Sequence, residues 1–139
     1  LTAVRERYAA PVYIHTADAR MLMDANLNLS AAFGLSITSA EAEHTLAHGE
    51  TFTLGSMTFT LLHTPGHTAG SSCYAVEDVL FCGDTLFAHG IGRTDFPGGD
   101  TETIFASIRE TLYTLPPETH CYPGHDNDFT IAERMKLEL

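Results

Sequence analysis

The chain has 139 residues, of which 44% are hydrophobic and 18% are charged, and its formal net charge is −11. This length suits one domain, and this composition suits a folded globular chain. The acidic balance argues against nucleic acid or an anionic membrane surface as a partner, because both attract Lys and Arg. No apolar stretch approaches the roughly 20 residues that cross a bilayer.

The first third of the chain predicts a helix, a strand and a further helical run. Thr2–Ala10 has helix-forming composition and ends before a proline, where helical backbone is disfavoured. Pro11–His15 predicts a short buried strand, and Thr16 can cap a helical run that ends at Asp24. Residues 26–36 are rich in Asn, Ser and Gly, which predicts a loop or a broken helix.

Two hairpins follow in the middle of the chain. Residues 50–54 and 57–62 flank Gly55-Ser56, and the second segment alternates apolar and threonine residues as a half-buried strand does. Residues 72–76 and 79–81 flank Glu77-Asp78 and predict a second hairpin.

The last third predicts a long helix, a strand and a final helix. Asp100–Tyr113 carries a helical stripe that we assign to the core, consisting of Ile104, Phe105, Ile108, Leu112 and Leu115. Asp100 or Thr101 can cap this helix, His120–Tyr122 predicts a strand, and Thr130–Leu139 predicts a helix. Strands and helices therefore mix in an α/β or α+β arrangement, and residues 1–139 read as a single domain without repeat or linker.

Three residues in glycine-containing turns are candidate metal ligands. His67 stands in a His-Thr-Pro-Gly-His turn, Asp84 in a Cys-Gly-Asp-Thr turn, and His125 in a Tyr-Pro-Gly-His turn, each soon after an apolar run. Loops at strand ends aim side chains into shared clefts. Two imidazoles and a carboxylate suit zinc or ferrous iron, and Asp84 is the candidate for a bridging carboxylate. Three ligands are few for a two-metal site, and no H-x-H-x-D-H run is present.

Several residues near these turns have alternative roles. His63 precedes His67 by four residues, but the Pro-Gly between them is incompatible with a metalloprotease helix, so we favour a structural role. Arg93 is the basic residue closest to the motifs, and it either meets a substrate carboxylate or pairs with Asp95. Thr68, Ser71 and Thr85 are candidates to accept hydrogen bonds from the histidine ligands, and the sequence does not choose among them.

The cysteine count argues against a disulfide framework, because three is an odd number. Cys73, Cys82 and Cys121 each lie in an apolar, strand-like run, and we interpret them as buried core residues. Free thiols indicate a reducing compartment, so we expect a cytoplasmic protein. Cys82 lies close to Asp84 in sequence, but Gly83 interrupts the strand and we do not assign Cys82 as a ligand.

Four ordered segments carry a family resemblance: residues 63–71, 80–87, 90–95 and 122–125. Together they resemble the metallo-β-lactamase superfamily, and within it the glyoxalase II-like hydrolases and their persulfide dioxygenase relatives. The resemblance implies a four-layer αββα sandwich in which His67 binds a first metal, Asp84 bridges, and His125 binds a second. The remaining ligands of the family come from H-x-H-x-D-H, which precedes a helix like the one that starts near Leu1.

We therefore expect the chain to be the C-terminal portion of such a domain, lacking its N-terminal strands and exposing the inner face of one sheet. The resemblance implies a hydrolase with two zinc ions that attacks a small-molecule thioester, such as an acyl-glutathione, through a metal-activated hydroxide. By itself the 139-residue chain is expected to be inactive. Two alternatives stay open: a mononuclear iron persulfide dioxygenase, which Gly-Arg-Thr-Asp-Phe96 and His125-Asp126 also resemble, and an inactive truncated metal-binding domain. Homo-oligomer formation is left open as well.

Overall fold

The computed structural model describes residues 1–137, which divide into two compact units, residues 1–46 and residues from 47 onward. The single-domain prediction is not tested by this division. Among residues 1–137, no helix combines the length and apolar content that a membrane span requires.

The first unit contains short elements joined by turns. They are α1 (Thr2–Tyr8), β1 (Tyr13–His15), a 3-10 helix (Thr16–Leu22), a second 3-10 helix (Ala31–Phe33) and β2 (His44–Leu46). β1 and β2 pair in parallel, with Tyr13 opposite His44. β2 was not predicted, because three residues carry too little periodicity to be recognised.

Two predictions for this unit need correction. The predicted helical run after β1 is present as a 3-10 helix, but it ends at Leu22 instead of Asp24. His15 rather than Thr16 caps it, since His15 Nδ1 accepts a hydrogen bond from the Ala17 amide at 3.1 Å. β1 is also half-buried rather than buried.

Arg5 and Glu43 hold this unit together. The Arg5 guanidinium donates to the carbonyls of Ala40 and Glu41 at 2.9 and 2.8 Å and forms an ion pair with Glu43. The Glu43 carboxylate accepts from the Val12 amide at 2.6 Å. That amide, aided by Arg5, lowers the pKa of Glu43. The contacts therefore link α1 to the segments that precede β1 and β2.

The second unit is built on a six-stranded mixed sheet. Its strands are β3 (Thr51–Leu54), β4 (Met57–His63), β5 (Ser72–Val76), β6 (Val79–Gly83), β9 (His120–Pro123) and β10 (Phe129–Thr130). They lie side by side in the order β10-β9-β6-β5-β4-β3. A small hairpin pairs β7 (Leu86–Phe87) with β8 (Gly90–Ile91). Both predicted hairpins and the strand at His120 are confirmed, whereas the two-residue strands β7, β8 and β10 were not predicted.

The helices of this unit are α2 (Thr101–Glu110), a 3-10 turn (Leu112–Thr114) and α3 (Ile131–Met135). Asp100 caps α2, because its carboxylate accepts from the Thr103 amide at 2.7 Å. Thr130 and Glu133 form a capping box at the start of α3. The predicted final helix ends earlier than expected, and the part of that prediction at 138–139 lies outside the described residues.

One face of the sheet packs on α2 to form the core. The stripe residues Ile104, Ile108 and Leu112 are fully buried, while Phe105 and Leu115 are half-buried. Against them lie buried sheet residues that include all three cysteines: Cys73, Leu80, Cys82 and Cys121. The prediction of buried, unpaired thiols is confirmed.

The opposite face carries a row of aromatic rings, one from each of four strands. Phe52 stacks on Phe59 at 5.1 Å between ring centres, Phe59 on Phe81 at 6.4 Å, and Phe81 on Tyr122 at 5.8 Å. Phe81 and Tyr122 are each 44% exposed. These two rings are half open to solvent, whereas Leu61 on the same face is fully buried, so the expected exposure of one inner sheet face stays a prediction.

Candidate metal centre

The three candidate ligands lie beyond the ends of three strands that run in the same direction. β6 and β9 are parallel neighbours, and β4 runs parallel to β6 because each pairs antiparallel with β5. Their carboxyl ends therefore share one sheet edge. His67 follows β4, Asp84 follows β6 directly, and His125 follows β9.

The turns bring the three side chains together around one carboxylate oxygen. His67 Nε2 and His125 Nε2 each lie 3.9 Å from Asp84 Oδ2. The side chain of His67 is 24% exposed, that of Asp84 is 41% exposed and that of His125 is 62% exposed, so the three side chains are open to solvent. The predicted convergence of these residues is therefore present in the structure.

Glycines surround Asp84 and allow this approach. A Cβ at Gly124 would overlap Asp84 Oδ1, and a Cβ at Gly92 would overlap the Asp84 carbonyl oxygen and lie 3.2 Å from the Cβ of His67. Gly83 has φ +48°, a left-handed conformation that turns the chain sharply before Asp84. The backbone at Gly124 therefore lies against the carboxylate, and the backbone at Gly92 lies against the Asp84 carbonyl.

The hydrogen-bond partner of His67 is a backbone carbonyl. His67 Nδ1 lies 2.7 Å from the Arg93 carbonyl oxygen, which can only accept, so Nδ1 carries the proton. The neutral ring then presents its lone pair at Nε2, the atom that faces Asp84. The hydroxyls suggested by the sequence have other contacts: Thr68 Oγ1 and Ser71 Oγ lie 2.8 Å apart, and Thr85 Oγ1 lies 3.0 Å from Thr64 Oγ1.

His63 has a structural contact, as predicted. Its Nε2 donates to the Ala69 carbonyl at 2.9 Å and so spans the turn that presents His67. α2 supports the same turn from below, since the Asp100 amide donates to the Gly66 carbonyl at 2.8 Å and Ser107 Oγ to the Pro65 carbonyl at 2.8 Å.

His125 is held by an aromatic contact that the sequence did not indicate. Its ring stacks on Phe87 with 4.4 Å between ring centres and an interplanar angle of 27°. His125 Nδ1 lies 3.2 Å from Asp126 Oδ2, so Nε2 again faces Asp84. Phe87 stands three positions after Asp84, in the two-residue strand β7. So short a strand has no periodic pattern from which the direction of the Phe87 ring could be predicted.

Arg93 lies beside the site but turns its guanidinium onto its own loop. Its Nε and one terminal nitrogen donate to the two carboxylate oxygens of Asp95, each at 2.7 Å. The guanidinium carbon stands 3.8 Å from the centre of the Phe96 ring. The hydrogen bonds from Arg93 lower the pKa of Asp95 to about 2.

A groove lies next to His125 and is large enough for part of a small molecule. A cavity of about 390 Å³ is lined by Phe87, Ala88, His89, Gly90, Asp126 and Asn127. It shares Ala88, His89 and Asn127 with a second cavity of about 420 Å³, which extends to Phe129, Glu133 and Lys136. Volumes of this size are typical of small-molecule sites.

The residues fit part of a metal centre. Zinc binds imidazole nitrogen and carboxylate oxygen at about 2.0–2.2 Å. One ion can therefore span a nitrogen and an oxygen that are 3.9 Å apart, as both pairs are here. The separations are nevertheless wider than in a closed site, and within residues 1–137 no three His, Cys, Asp or Glu side chains are grouped tightly enough to hold a metal by themselves.

Comparison with known proteins identifies the family. Residues 1–125 match the metallo-beta-lactamase superfamily. The chain belongs to this superfamily and has part of its α/β fold, which confirms the resemblance read from the four motifs. The glyoxalase II-like subtype stays a prediction.

Individual relatives agree with this membership. The chain is 41% identical over 128 residues to Probable metallo-hydrolase YqgX of Bacillus subtilis (strain 168), a match covering 90% of this chain and 61% of YqgX. It is 42% identical over 94 residues to Probable polyketide biosynthesis zinc-dependent hydrolase BaeB of Bacillus velezensis (strain DSM 23117 / BGSC 10A6 / LMG 26770 / FZB42), covering 68% of this chain and 42% of BaeB. The chain thus spans less than two thirds of the length of these relatives.

Solved structures of this superfamily have a fold similar to that of the chain. BLEG-1 B3 metallo-beta-lactamase is 43% identical with a TM-score of 0.91, and the match covers 96% of this chain and 66% of BLEG-1. TTHA1623 in a di-iron-bound form is 32% identical with a TM-score of 0.80, covering 96% of this chain and 66% of TTHA1623.

Proposed function

We propose that the protein carrying this chain is a metal-dependent hydrolase of small-molecule thioesters, glyoxalase II-like in its chemistry. One observation carries the proposal: two imidazole nitrogens face the same Asp84 carboxylate oxygen, each at 3.9 Å. A carboxylate flanked in this way suits a bridge between two cations. The names of YqgX and BaeB, a metallo-hydrolase and a zinc-dependent hydrolase, support the reaction class.

Zinc is the proposed metal, and His67, Asp84 and His125 are its proposed ligands. When bound, such a metal supplies a water nucleophile at neutral pH and polarises the substrate carbonyl. The chain's own residues orient both histidines: the Arg93 carbonyl accepts a hydrogen bond from His67 Nδ1, and Phe87 stacks on His125. Asp84 supplies the negative charge at the centre.

The groove beside His125 is the proposed place for the substrate. Its volume suits an acyl group and part of a thiol carrier, and it is lined by both apolar and polar side chains. The net charge of −11 further supports a small-molecule substrate in place of nucleic acid or an anionic membrane. We also propose a cytoplasmic location, in agreement with three buried, unpaired thiols.

The test is whether the whole zinc-loaded protein hydrolyses a panel of thioesters. The rate of thiol release measures the hydrolysis. The panel holds an acyl-glutathione, an acyl-coenzyme A and an acyl-pantetheine, since the sequence does not name the carrier. Asp84→Asn and His67→Gln are expected to abolish turnover and reduce bound zinc. His44→Gln is the matched control, because this exposed histidine stacks on Tyr13 in β1 and lies in the other unit. If the zinc-loaded protein releases no thiol from any of the three, the proposal is wrong.

A second candidate is an iron-dependent persulfide dioxygenase. The di-iron form of TTHA1623, which is 32% identical to this chain, supports iron as the metal. The segment Gly-Arg-Thr-Asp-Phe96 and the His125-Asp126 pair also resemble the dioxygenase branch, whereas Gly124 is nearer the hydrolase pattern. Iron in the purified protein with oxygen consumption on glutathione persulfide would select this reaction. A third candidate, a metal-binding domain without activity, is the outcome in which metal binds and neither assay shows turnover.

A further inference from the structure

The loop that follows β8 lies directly on the candidate ligand His67. The 2.7 Å contact between His67 Nδ1 and the Arg93 carbonyl is the hydrogen bond that decides which ring nitrogen carries the proton. If the carbonyl moved away, the neutral ring would populate both tautomers, and the one protonated on Nε2 cannot ligate through that atom. The position of one backbone carbonyl therefore controls the donor atom of His67.

The Arg93 side chain fixes that carbonyl by binding to its own loop. The guanidinium makes a two-pronged contact with Asp95, both hydrogen bonds being 2.7 Å, and covers the Phe96 ring at 3.8 Å. Such a fork fixes the relative orientation of its partners more strictly than a single ion pair does. Because the side chains of Arg93 and Asp95 are 56% and 64% exposed, the pair adds little to global stability. Its effect is local order in residues 93–96.

Two further contacts anchor the loop at the site. The Gly92 amide donates to the Thr85 carbonyl at 3.2 Å, next to Asp84. Thr94 Oγ1 lies 2.6 Å from Thr101 Oγ1 in the first turn of α2. The loop is thus hydrogen-bonded to the site through Gly92 and to α2 through Thr94, and the Arg93–Asp95 pair forms within it.

We propose that Arg93 is a positioning residue for His67, acting through the Arg93–Asp95–Phe96 clamp to hold its own carbonyl on Nδ1. The proposal rests on the proposed function only in taking His67 as a metal ligand. It differs from the alternative read from the sequence, in which Arg93 meets a substrate carboxylate. A guanidinium whose fork is occupied by Asp95 does not present that fork to a substrate.

The test uses Arg93→Gln and Asp95→Asn in the whole protein, each of which removes the fork. The first readout is the tautomer of His67 in the metal-free protein, from long-range ¹H–¹⁵N correlation spectra. The wild type is expected to show the proton on Nδ1 alone, and both variants a mixture. The second readout is zinc affinity by competition with a chromophoric chelator, expected to fall about tenfold or more, as is typical when a partner of a ligand is lost.

The double variant and two comparison variants sharpen the result. Arg93→Gln combined with Asp95→Asn is expected to weaken zinc binding no more than the stronger single variant, because both break one clamp. Arg93→Lys, which keeps the charge without the fork, should restore affinity only in part. Arg109→Gln is the matched control, since this exposed arginine on α2 lies 5.6 Å over Phe105.

Unchanged tautomer and zinc affinity in both single variants, with a raised KM only in Arg93→Gln, would overturn the proposal and assign Arg93 to the substrate. If Arg93→Gln or Asp95→Asn fails to fold, the tautomer of His67 is measured in Arg93→Lys instead. A proton on Nδ1 alone in Arg93→Lys would then overturn the proposal. The tautomer readout needs neither metal nor turnover. A failure of the thioester assay therefore leaves this test intact.

Discussion

The hydroxyls of Thr64 and Thr85 lie 3.0 Å apart in the buried interior, directly beneath the turns that present His67 and Asp84. Thr64 follows β4 at once, and Thr85 is the residue after Asp84. The thiol of Cys73 lies 3.4 Å from the same Thr64 oxygen. This contact ties two turns that are distant in sequence, and so sets the distance between their ligands.

Removing one of these hydroxyls is expected to lower the unfolding free energy by more than half of the loss caused by removing both. Thr64→Val or Thr85→Val leaves a buried hydroxyl with one partner fewer, which costs about 1–3 kcal/mol of unfolding free energy. In the double variant both polar groups are gone, so its loss should be smaller than the sum of the single losses. Denaturant unfolding of the four proteins of this cycle measures the coupling. Additive losses would show that the two hydroxyls do not interact.

Gly66 is expected to tolerate no side chain. Its φ is +131°, and a Cβ would overlap the Ile104 backbone nitrogen in the first turns of α2. Gly66→Ala should therefore lower the unfolding free energy by about 1–3 kcal/mol through overpacking, with added backbone strain. Gly90→Ala is the control, because a Cβ there meets no atom within 4 Å; its effect should stay within about 0.5 kcal/mol.

Gly124→Ala is expected to damage the site while leaving the fold intact. The new Cβ would overlap Asp84 Oδ1, which is the mobile end of a side chain, so the carboxylate would rotate away. Zinc affinity should fall on the order of tenfold, as with other changes that misorient a ligand. Isothermal titration gives the affinity and thermal unfolding the stability. An unchanged affinity would mean that the carboxylate does not need its present orientation.

The pH dependence of the Arg93–Asp95 pair has a defined sign. The pKa of Asp95 is lowered from its ordinary 3.8 to about 2, so the folded state prefers the ionised form. The stabilisation is fully present above pH about 4 and is lost as the pH falls through about 2. Carboxyl ¹³C shifts should titrate with a midpoint near 2 in the wild type and nearer 3.8 in Arg93→Gln. Asp100, whose pKa is lowered by hydrogen bonding to Thr103, should titrate identically in both.

The three thiols are expected to be inert in the native protein. Burial raises the pKa of Cys73 to about 12, and a hydrogen bond with Cys121, together with burial, raises the pKa of Cys82. Because the thiolate is the reactive form, a disulfide reagent such as DTNB should label no cysteine before unfolding and all three in denaturant. Rapid labelling under native conditions would contradict the buried assignment.

Much of the framework could be predicted from local patterns. The hairpin turns at Gly55 and Glu77, the α2 stripe and the capping residue Asp100 each depend on neighbours within a few positions, and all are present. The helical run predicted after His15 is a 3-10 helix that ends two residues early, and the strands β2, β7, β8 and β10 were missed. A strand of two or three residues is stabilised by the strand it pairs with, and a local sequence pattern does not show that partner strand.

The superfamily and three candidate ligands, His67, Asp84 and His125, could be read from the residues alone, because the Pro-Gly-His and Gly-Asp turns are short and carry their own backbone geometry. That both imidazoles face one oxygen of Asp84 became visible only in the folded chain. It alone also showed that the partner of His67 is the Arg93 carbonyl, and that Phe87 supports His125. A carbonyl exists at every residue, so no sequence pattern marks the one that is used. The fold selects it by bringing residues 67 and 93 together.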